Sequence, residues 1–335
     1  MTPPVLVTGG SGFVGGAVLA RLVAQGTTVR ALARSDRAAA ILTEAGAEPV
    51  RGDLDDLGSL IDAARGCETV FHVGGVNAMC RRDPAPMMRT NVEGSANVVR
   101  AAADAGVTRV VHTSSAATIG EARGTIGRED SPHRGSFLSQ YERSKFLAER
   151  EVLALGRALG VEVVSVNPSS VQGPGRADGS ARLLLDLLRG RLPIVDTFVS
   201  IVDVADCAAG HLAAADRGVA GARYLVSGVT LHTRHAVGLL RAETGRPHHV
   251  RRVPRATAWA AGVMGDAAGA LTRHDVPICR ELTRTLLHGH RYDGSRITRE
   301  LGLAYTPVRD TIRRTVAWYE REGHLDPEGD DGPSG

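Results

Sequence analysis

The stretch "VTGGSGFVGG", residues Val7 to Gly16, decides the fold. It places Gly9, Gly12 and Gly15 directly after the apolar run "PVLVTG" and at the mouth of a helical run, "FVGGAVLARLVAQG". The missing Cβ atoms allow a tight turn at Gly9, close approach of a pyrophosphate at Gly12, and close packing of helix on strand at Gly15. The amide groups of the helix N-terminus attract an anion. The sequence therefore predicts a dinucleotide-binding turn between the first strand and the first helix.

Beyond this turn, short β-rich runs alternate with helical stretches over about 170 residues. The later strands are predicted in "TVRALAR", "AEPVRGD", "ETVFHVGG", "TRVVHTSS" and "VEVVSVNPSS". Strands separated by helices need crossover connections, which give a parallel sheet with helices on both faces. We predict a Rossmann-type doubly wound α/β domain over residues 1–172, a smaller C-terminal substrate-binding lobe over 173–324 with strands returning to the core sheet, and a disordered tail over 325–335.

Composition excludes several classes of protein. The chain of 335 residues is 43% hydrophobic and 23% charged, and its net charge of +3 gives no reason to expect a nucleic-acid partner. Neither a leader sequence nor an apolar run long enough to cross a membrane is recognised, so no membrane partner is expected. The four cysteines (Cys67, Cys80, Cys207 and Cys279) form no CxxC pair. They are interpreted as buried free thiols in a cytoplasmic protein.

The histidines form three close pairs, but none of them is joined in sequence by acidic residues at metal spacing. The pairs are His232 with His235, His248 with His249, and His288 with His290. We interpret them as solvated loop residues and expect no metal site. His112 lies inside an apolar strand and is predicted to be a core residue. Arg81 and Arg82, after the fourth strand, are interpreted as salt-bridged surface residues.

The end of the second strand indicates the type of dinucleotide. NAD-binding proteins usually end this strand with an acid that accepts from the ribose hydroxyls, but here Ala33 stands in that position and Arg34 follows. A guanidinium group suits a 2′-phosphate. Asp36 comes too late for the acidic position, so NADP(H) is preferred and NAD(H) stays an alternative. Asp53 is placed to accept from the adenine amino group, and the helix N-cap is assigned to Asp55.

The chain contains a single lysine, Lys145, four residues after Tyr141. Residues i and i+4 share one face of a helix. An ammonium near a phenol stabilises the phenolate, and we expect it to lower the pKa of Tyr141 from about 10. A tyrosine tuned in this way can exchange a proton with a carbonyl or alcohol oxygen.

Hydroxyl groups end the fifth strand at Thr113, Ser114 and Ser115. Ligands bind beyond the carboxyl ends of the strands in such sheets, where a hydroxyl can polarise a substrate oxygen. One of the two serines is expected to satisfy only backbone groups.

Together these motifs resemble the extended short-chain dehydrogenase/reductase (NAD-dependent epimerase/dehydratase) superfamily, in its dihydroflavonol-4-reductase-like branch. The resemblance runs through "TGGSGFVG", "GDLDD", "NVEGSANVVRAA", "HTSSAATIG", "YERSK", "NPSSVQGPG" and "VSIVDVADCAAGHLAA". It implies Tyr141 as the acid/base, Lys145 as its partner on the nicotinamide ribose, and Ser115 as the substrate clamp, chosen by counting back from Ile119–Gly120. It also implies Asn91 as the support of a proton-relay water, with a packing asparagine as the alternative.

The cofactor-binding residues expected on these grounds are Gly9, Ser11, Gly12, Phe13, Val14, Gly15, Arg34, Asp53, Leu54, Val73, Gly74, Gly75, Thr113, Ser114, Tyr141, Lys145, Pro168 and Val171. The resemblance implies an NADPH-dependent reductase of a small-molecule ketone or aldehyde, acting as a monomer or homodimer. The alternative is an NAD(P)-dependent sugar-nucleotide epimerase or dehydratase, which is weakened because Asn167 and Gln172 replace the arginine and tyrosine usual in those enzymes. A dinucleotide-sensing regulator is a third possibility, and the retained tyrosine–lysine pair argues against it.

Overall fold

A parallel sheet forms the centre of the molecule. A computed structural model describes residues 3–177, 180–190, 193–246 and 250–326 of the chain. The strands are β1 Val5–Thr8, β2 Val29–Ala33, β3 Glu48–Arg51, β4 Thr69–His72, β5 Arg109–Thr113, β6 Glu162–Pro168, β7 Ser170–Gln172, β8 Phe198–Asp203, β9 Arg223–Val226 and β10 Val229–His232. The main sheet has the order β3-β2-β1-β4-β5-β6-β9, with every neighbouring pair parallel. The predicted doubly wound fold is confirmed.

Helices cover both faces of this sheet. They are α1 Phe13–Ala24, α2 Asp36–Glu44, α3 Leu57–Ala64, α4 Ala85–Met88, α5 Gly94–Asp104, α6 Gln140–Leu159, α7 Ser180–Leu188, α8 Val204–Arg217, α9 Thr233–Thr244, α10 Arg255–Thr272, α11 Arg280–His288, α12 Ser295–Leu301 and α13 Val308–Arg321. One hydrophobic core lies around α1 and α8, and another lies around α3, α5 and α6. Because both faces are covered, the central strands carry almost continuous apolar runs such as the "VVHT" of β5.

The strand order reverses between β1 and β4, which lie side by side at the centre of the sheet. A crevice opens at the carboxyl ends of the strands where such a reversal occurs. The glycine turn after β1 and the loop after β4 meet at this edge, and the end of β5 lies next to them. The fold therefore gathers the predicted site residues at one edge of the sheet.

A π-helical turn interrupts the helical region around Asn91. Residues Arg89–Glu93 form this turn between α4 and α5. A π-turn inserts an extra residue into a helix and often occurs at functional sites. Here Asn91 is 1% exposed and faces the interior.

The second half of the chain forms a smaller sheet and several helices. Its sheet has the order β10-β8-β7, and the strands predicted near Val199–Val202 and Tyr224–Val226 are found within β8 and β9. Strand β9 pairs with β6 and so returns to the main sheet. Leu325, the first residue of the predicted tail, is buried in an apolar cluster with α13, and the prediction from residue 327 onward lies outside the described residues.

The prediction of free cysteines is wrong for two of the four. Cys80 and Cys279 form a disulfide with their Cα atoms 5.5 Å apart, whereas Cys67 and Cys207 are buried free thiols. The partners are 199 residues apart in sequence, so no local spacing announces them. Because disulfides are uncommon in reducing compartments, cysteine content does not support a cytoplasmic location. Among the described helices, none combines the length and the apolar character needed to cross a bilayer.

Candidate active site

The glycine turn is closely packed and leaves room for no side chain at two positions. Gly9 has φ +72°, and a Cβ there would lie 2.6 Å from the amide nitrogen of Gly74. A Cβ on Gly15 would lie 2.0 Å from the carbonyl oxygen of Gly9. Gly12 is the N-cap of α1 and provides no side chain to cap it. Since the first amides of a helix have no partner within the helix, this N-terminus is available to an anion.

A cavity of about 580 Å³ adjoins this turn. Its lining residues are Ser11, Gly12, Phe13, Gly16, Ala17, Pro174, Gly175, Arg176, Ala177, Val204 and Trp318. The amide donors of a helix N-terminus meet apolar walls and one arginine here. Such a cradle, in which a Cβ would collide with backbone, fits a dinucleotide pyrophosphate.

The end of β2 carries no carboxylate for ribose hydroxyls. Ala33 is 1% exposed, and Arg34 is exposed and makes no ion pair with any described residue. The carboxylate of Asp36 pairs with Arg51 at 2.8 Å. Arg34 is thus a cationic group that remains available at this corner.

The loop after β3 differs in one detail from the prediction. The N-cap of α3 is Asp56, whose carboxylate accepts from the amide of Ser59 at 3.3 Å, so the assignment to Asp55 is wrong. Asp53 accepts from the amide of Asp55 at 3.2 Å near the start of this loop. Leu54, between them, packs against Gly94. A cap needs the residue just before the first helical turn, and α3 begins at Leu57.

Tyr141 and Lys145 lie on the first turns of α6, facing the end of β5. The Lys145 ammonium donates to the carbonyl oxygen of Thr113 at 2.6 Å. Lys145 is 6% exposed, and Tyr141 is half-buried. The Ser115 hydroxyl lies within hydrogen-bonding reach of Tyr141. The structure thus brings the predicted tyrosine, lysine and serine together.

The expected lowering of the tyrosine pKa is wrong. Burial raises the pKa of Tyr141 above 10, and the hydrogen bond with Ser115 opposes this only in part. Burial also lowers the pKa of Lys145 to about 8, with the charge of Glu149 acting in the opposite direction. For Tyr141 the cost of desolvation outweighs the opposing hydrogen bond, so the phenol is neutral at neutral pH.

The two serines after β5 have different surroundings. Ser115 accepts from the amide of Ala117 at 3.2 Å and caps a 3₁₀ turn over Ala116–Ile119, with its side chain near Tyr141. The hydroxyl of Ser114 is buried and has no hydrogen-bond partner in the described part of the chain. Of the two serines, Ser115 is the one beside Tyr141.

Asn91 connects the loop after β4 to α6. Its carbonyl oxygen accepts from the amide of Val76 at 2.7 Å, and its amino group donates to the carbonyl of Val76 and to the hydroxyl of Ser144, both at 2.9 Å. A Cβ on Gly75 would lie 3.2 Å from the Asn91 side-chain oxygen and 3.7 Å from Lys145 Nζ. Asn91 therefore positions the loop backbone at Gly75 beside the lysine.

The remaining predicted cofactor residues lie along the same edge. Gly74 donates its amide to Thr8 at 3.1 Å, after Val73 at the end of β4. Pro168 closes β6, and Val171 lies in β7 with 9% exposure. Pro168 and Val171 border the crevice from the side of β6.

Comparison with known proteins identifies the family. The model of the NAD dependent epimerase/dehydratase family matches residues 5–227. The chain belongs to this family. Its relatives in the family include "Sterol demethylase protein B" of Methylococcus capsulatus, 32% identical over 96% of this chain and 99% of the relative. A ketoreductase of a farnesyl-dihydroquinoline oxide from Stigmatella aurantiaca is 35% identical over 78% of this chain and 79% of the relative. Dihydroflavonol 4-reductase of Zea mays is 32% identical over 68% of this chain and 71% of the relative.

Solved structures of the epimerase/dehydratase family share the fold. The crystal structure of gox2253 covers 97% of this chain and 100% of its own, with 31% identity and a TM-score of 0.84. DesIV of Streptomyces venezuelae, a dTDP-glucose 4,6-dehydratase solved with NAD bound, covers 96% of this chain and 99% of its own with 26% identity and a TM-score of 0.75. The family and the names of its reductases identify the chain as an NAD(P)-dependent oxidoreductase.

Sequence analysis missed Glu149, a buried acid on α6 one turn after Lys145. Glu149 is 2% exposed and binds Arg223 at 2.9 Å and the hydroxyl of Ser165 at 3.0 Å. Asn167, which departs from the pattern of sugar-nucleotide enzymes, donates to this carboxylate and to Thr118. Its amide is thus used within the protein. The signal available in the sequence was the i, i+4 spacing of Lys145 and Glu149.

A second missed acid, Glu281, comes from the lobe. One carboxylate oxygen accepts from the amide of Cys80 at 2.8 Å, and the other accepts from the amide of Gln140 at 3.0 Å. Gln140 precedes Tyr141. Glu281 therefore joins the loop after β4 to the start of the catalytic helix, over a separation that no motif spans.

The strand histidine and the predicted histidine pairs have different surroundings. His72, His112 and His211 are buried under the site, and burial lowers the pKa of His72 to about 3 and of His211 to about 4, so both are neutral. His112 is a core residue as predicted. His248 and His249 lie outside the described residues.

The solvated-loop interpretation is wrong for His288 and His290. Their side chains are 6% and 16% exposed and meet the carboxylate of Glu121. His232 is one-third exposed and pairs with Asp196. Arg81 pairs with Asp275 at the surface, as predicted. The prediction is wrong for Arg82, whose guanidinium donates to the backbone carbonyl of Arg273 at 3.4 Å.

Proposed function

We propose that this protein is an NADPH-dependent reductase of a ketone or aldehyde carbonyl on a small molecule. The observation that carries the proposal is the neutral phenol of Tyr141 beside Ser115 and Lys145 at the carboxyl edge of the sheet. The glycine turn lies at the same edge. Relatives named as ketoreductase and dihydroflavonol 4-reductase support this class of reaction.

In the proposed reaction, Ser115 holds the carbonyl oxygen and Tyr141 donates a proton to it. A tyrosine whose pKa lies above 10 keeps its proton at neutral pH and can act as an acid. Reduced nicotinamide supplies a hydride when bound. The Lys145 ammonium, held by the Thr113 carbonyl, is placed to bind ribose hydroxyls. Ser114, Val73, Gly74, Gly75, Pro168 and Val171 line the proposed nicotinamide side.

The preference for NADP(H) rests on the corner after β2. Arg34 is exposed there, and the nearby acid Asp36 is paired with Arg51. A free guanidinium attracts a 2′-phosphate, and the alanine at position 33 offers no acceptor for ribose hydroxyls. Asp53 and Leu54 are the proposed adenine contacts.

The test is consumption of NADPH or NADH with a panel of ketones and aldehydes, followed by absorbance. We expect NADPH to be used at least tenfold more efficiently, and Arg34→Ala to abolish the preference. Tyr141→Phe should lower kcat by about 10²–10⁴, the range for loss of a general acid. The matched control is Tyr305→Phe in the lobe, whose hydroxyl donates to the Gly294 carbonyl at 2.9 Å and should not affect kcat. If Tyr141→Phe retains the wild-type kcat, the proposal is wrong.

A second candidate function is epimerisation or dehydration of a sugar nucleotide. It is favoured by the likeness to DesIV, a dehydratase with NAD bound. Such enzymes re-reduce their cofactor within each cycle and therefore retain it. Dinucleotide that stays with the protein through purification, together with turnover in the absence of added cofactor, would favour this candidate. Unchanged activity of Tyr141→Phe with intact dinucleotide binding would favour a sensing regulator.

A further inference from the structure

Glu121 meets two histidines that are distant from it in sequence, His288 and His290, between the main sheet and the lobe. Glu121 follows the 3₁₀ turn after Ser115, whereas His288 ends α11 and His290 lies two residues further on. Gly289 between the histidines has φ +75°, a left-handed conformation that brings both rings against the carboxylate. Glu121 Oε1 lies 2.7 Å from His290 Nδ1 and 3.4 Å from His288 Nε2.

Two atoms of this cluster are buried without a hydrogen-bond partner. They are Glu121 Oε2 and His288 Nε2, and the side chains that carry them are 1% and 6% exposed. The contact of His288 Nε2 with the carboxylate is too poorly aligned to be a hydrogen bond. A buried polar atom left unsatisfied costs about 1–3 kcal/mol, so two such atoms facing the same space point to a missing ligand.

We propose that Glu121, His288 and His290 bind a divalent transition cation, with Zn²⁺ as the best match. Two imidazoles and one carboxylate are a common set of three zinc ligands, which leaves the fourth position open. The ligand atoms lie within 4.8 Å of one another. Ligands placed about 2.0–2.1 Å from a tetrahedral zinc are about 3.3 Å apart. The 3.4 Å between Glu121 Oε1 and His288 Nε2 matches this spacing, and the 2.7 Å between Glu121 Oε1 and His290 Nδ1 would lengthen on binding.

The neighbouring groups are compatible with a cation. The guanidinium of Arg134 pairs with Glu142, so its charge is compensated, and it donates to the backbone carbonyl of Glu121 at 3.4 Å. The Tyr292 hydroxyl lies 3.0 Å from His290 Nδ1, the nitrogen that faces the carboxylate, and would give up this contact when a cation binds there.

The position of the cluster defines what a bound cation would do. It would join the segment that begins at Ser115 to the end of α11. We therefore expect a cation that stabilises the lobe against the sheet, and this inference is independent of the carbonyl reductase proposal.

The test uses the untagged full chain, kept oxidised, treated with EDTA, dialysed, and then incubated with ZnCl₂ or MgCl₂. We expect about one zinc and no magnesium per chain by mass spectrometry of the dialysed protein, and a higher Tm with zinc. His288→Ala and Glu121→Gln should lose the zinc and the rise in Tm. The matched control, His235→Ala on the exposed face of α9, should retain both.

Cobalt substitution makes the test independent of how the variants fold. Co²⁺ in the wild-type chain should give the visible absorption of a tetrahedral site with nitrogen and oxygen ligands, and zinc should remove it. The proposal would be overturned if the wild-type chain bound no more zinc than His288→Ala does. It would also be overturned if His235→Ala lost as much zinc as His288→Ala, or if the wild-type chain gave no such cobalt spectrum.

Discussion

The carboxyl edge of the sheet and the α10–α11 hairpin of the lobe are built by opposite kinds of contact. At the sheet edge, Gly9 to Gly15 and Tyr141 to Lys145 are short motifs whose members are neighbours in sequence. The hairpin is held by the Cys80–Cys279 disulfide, whose partners are 199 residues apart in sequence, and by the contacts of Glu281. The first region can therefore be recognised along the chain, and the second is defined only when the chain is folded.

The comparison also separates two kinds of substrate-facing surface. The loop from Ala78 to Met88 lies against the hairpin, beside a cavity of about 500 Å³ that Cys80, Arg82 and Trp259 help to line. The sheet edge holds the residues proposed for the chemistry. The hairpin positions the cavity walls that we expect to select the substrate. Four experiments test this division, in order of decreasing effect.

The largest effect is expected from Gly9→Ala at the sheet edge. A left-handed φ costs a residue with a Cβ about 1–2 kcal/mol, and the Cβ would also collide with Gly74. We expect the free energy of unfolding to fall by about 3 kcal/mol, measured by urea denaturation, and dinucleotide affinity to fall more than tenfold. Gly26→Ala is the control, because Gly26 has φ +74° and nothing within 4 Å of the added Cβ. Equal losses in the two variants would contradict the close-packing argument.

The hairpin should be weakened next by breaking its disulfide. Cleavage by a dithiol reductant, or the double variant Cys80→Ser with Cys279→Ser, should lower the free energy of unfolding by about 2–4 kcal/mol. The reductant should leave the double variant unchanged, because Cys67 and Cys207 are already free thiols. A wild-type Tm that is insensitive to reduction would show that the hairpin is held by its other contacts.

The pH dependence should report Lys145 rather than Tyr141. Burial lowers the pKa of Lys145 to about 8, so the ammonium is present below pH 8 and is lost as the pH rises through that value. We expect kcat/KM for reduction to fall by up to tenfold per pH unit above about pH 8. Tyr141 stays neutral in this range because its pKa is raised. When the pH profile of Lys145→Arg is normalised to its own maximum, the fall in kcat/KM above about pH 8 should be absent. A wild-type profile that is flat to pH 9.5 would contradict the assignment.

The smallest effect is expected from Glu281→Ala. The change removes the acceptors for the amides of Cys80 and Gln140, which should cost about 1 kcal/mol of unfolding free energy. We expect KM to rise three- to tenfold with little change in kcat, since the loop moves relative to Tyr141 while the reacting groups stay. Glu300→Gln, in the exposed ion pair with Arg296, is the control and should stay within about 0.5 kcal/mol. A fall in kcat without a change in KM would indicate that Glu281 acts on the chemistry instead.

The sequence by itself determined the parallel sheet, the family and the grouping of Tyr141, Lys145 and Ser115 at one edge. These features follow from periodicity and from motifs confined to a few residues, and such local rules act before the chain is folded. Even there, the details depended on packing. The N-cap of α3 is Asp56, and the π-turn at Asn91 breaks a helix that the pattern shows as continuous.

Only the tertiary structure decided the direction of the Tyr141 pKa, the pairing of Cys80 with Cys279, and the meeting of Glu121 with His288 and His290. The physical reason is the same in each case. Desolvation and contact depend on which atoms lie within a few ångströms after folding. For partners 167 to 199 residues apart, sequence spacing carries no information on that distance.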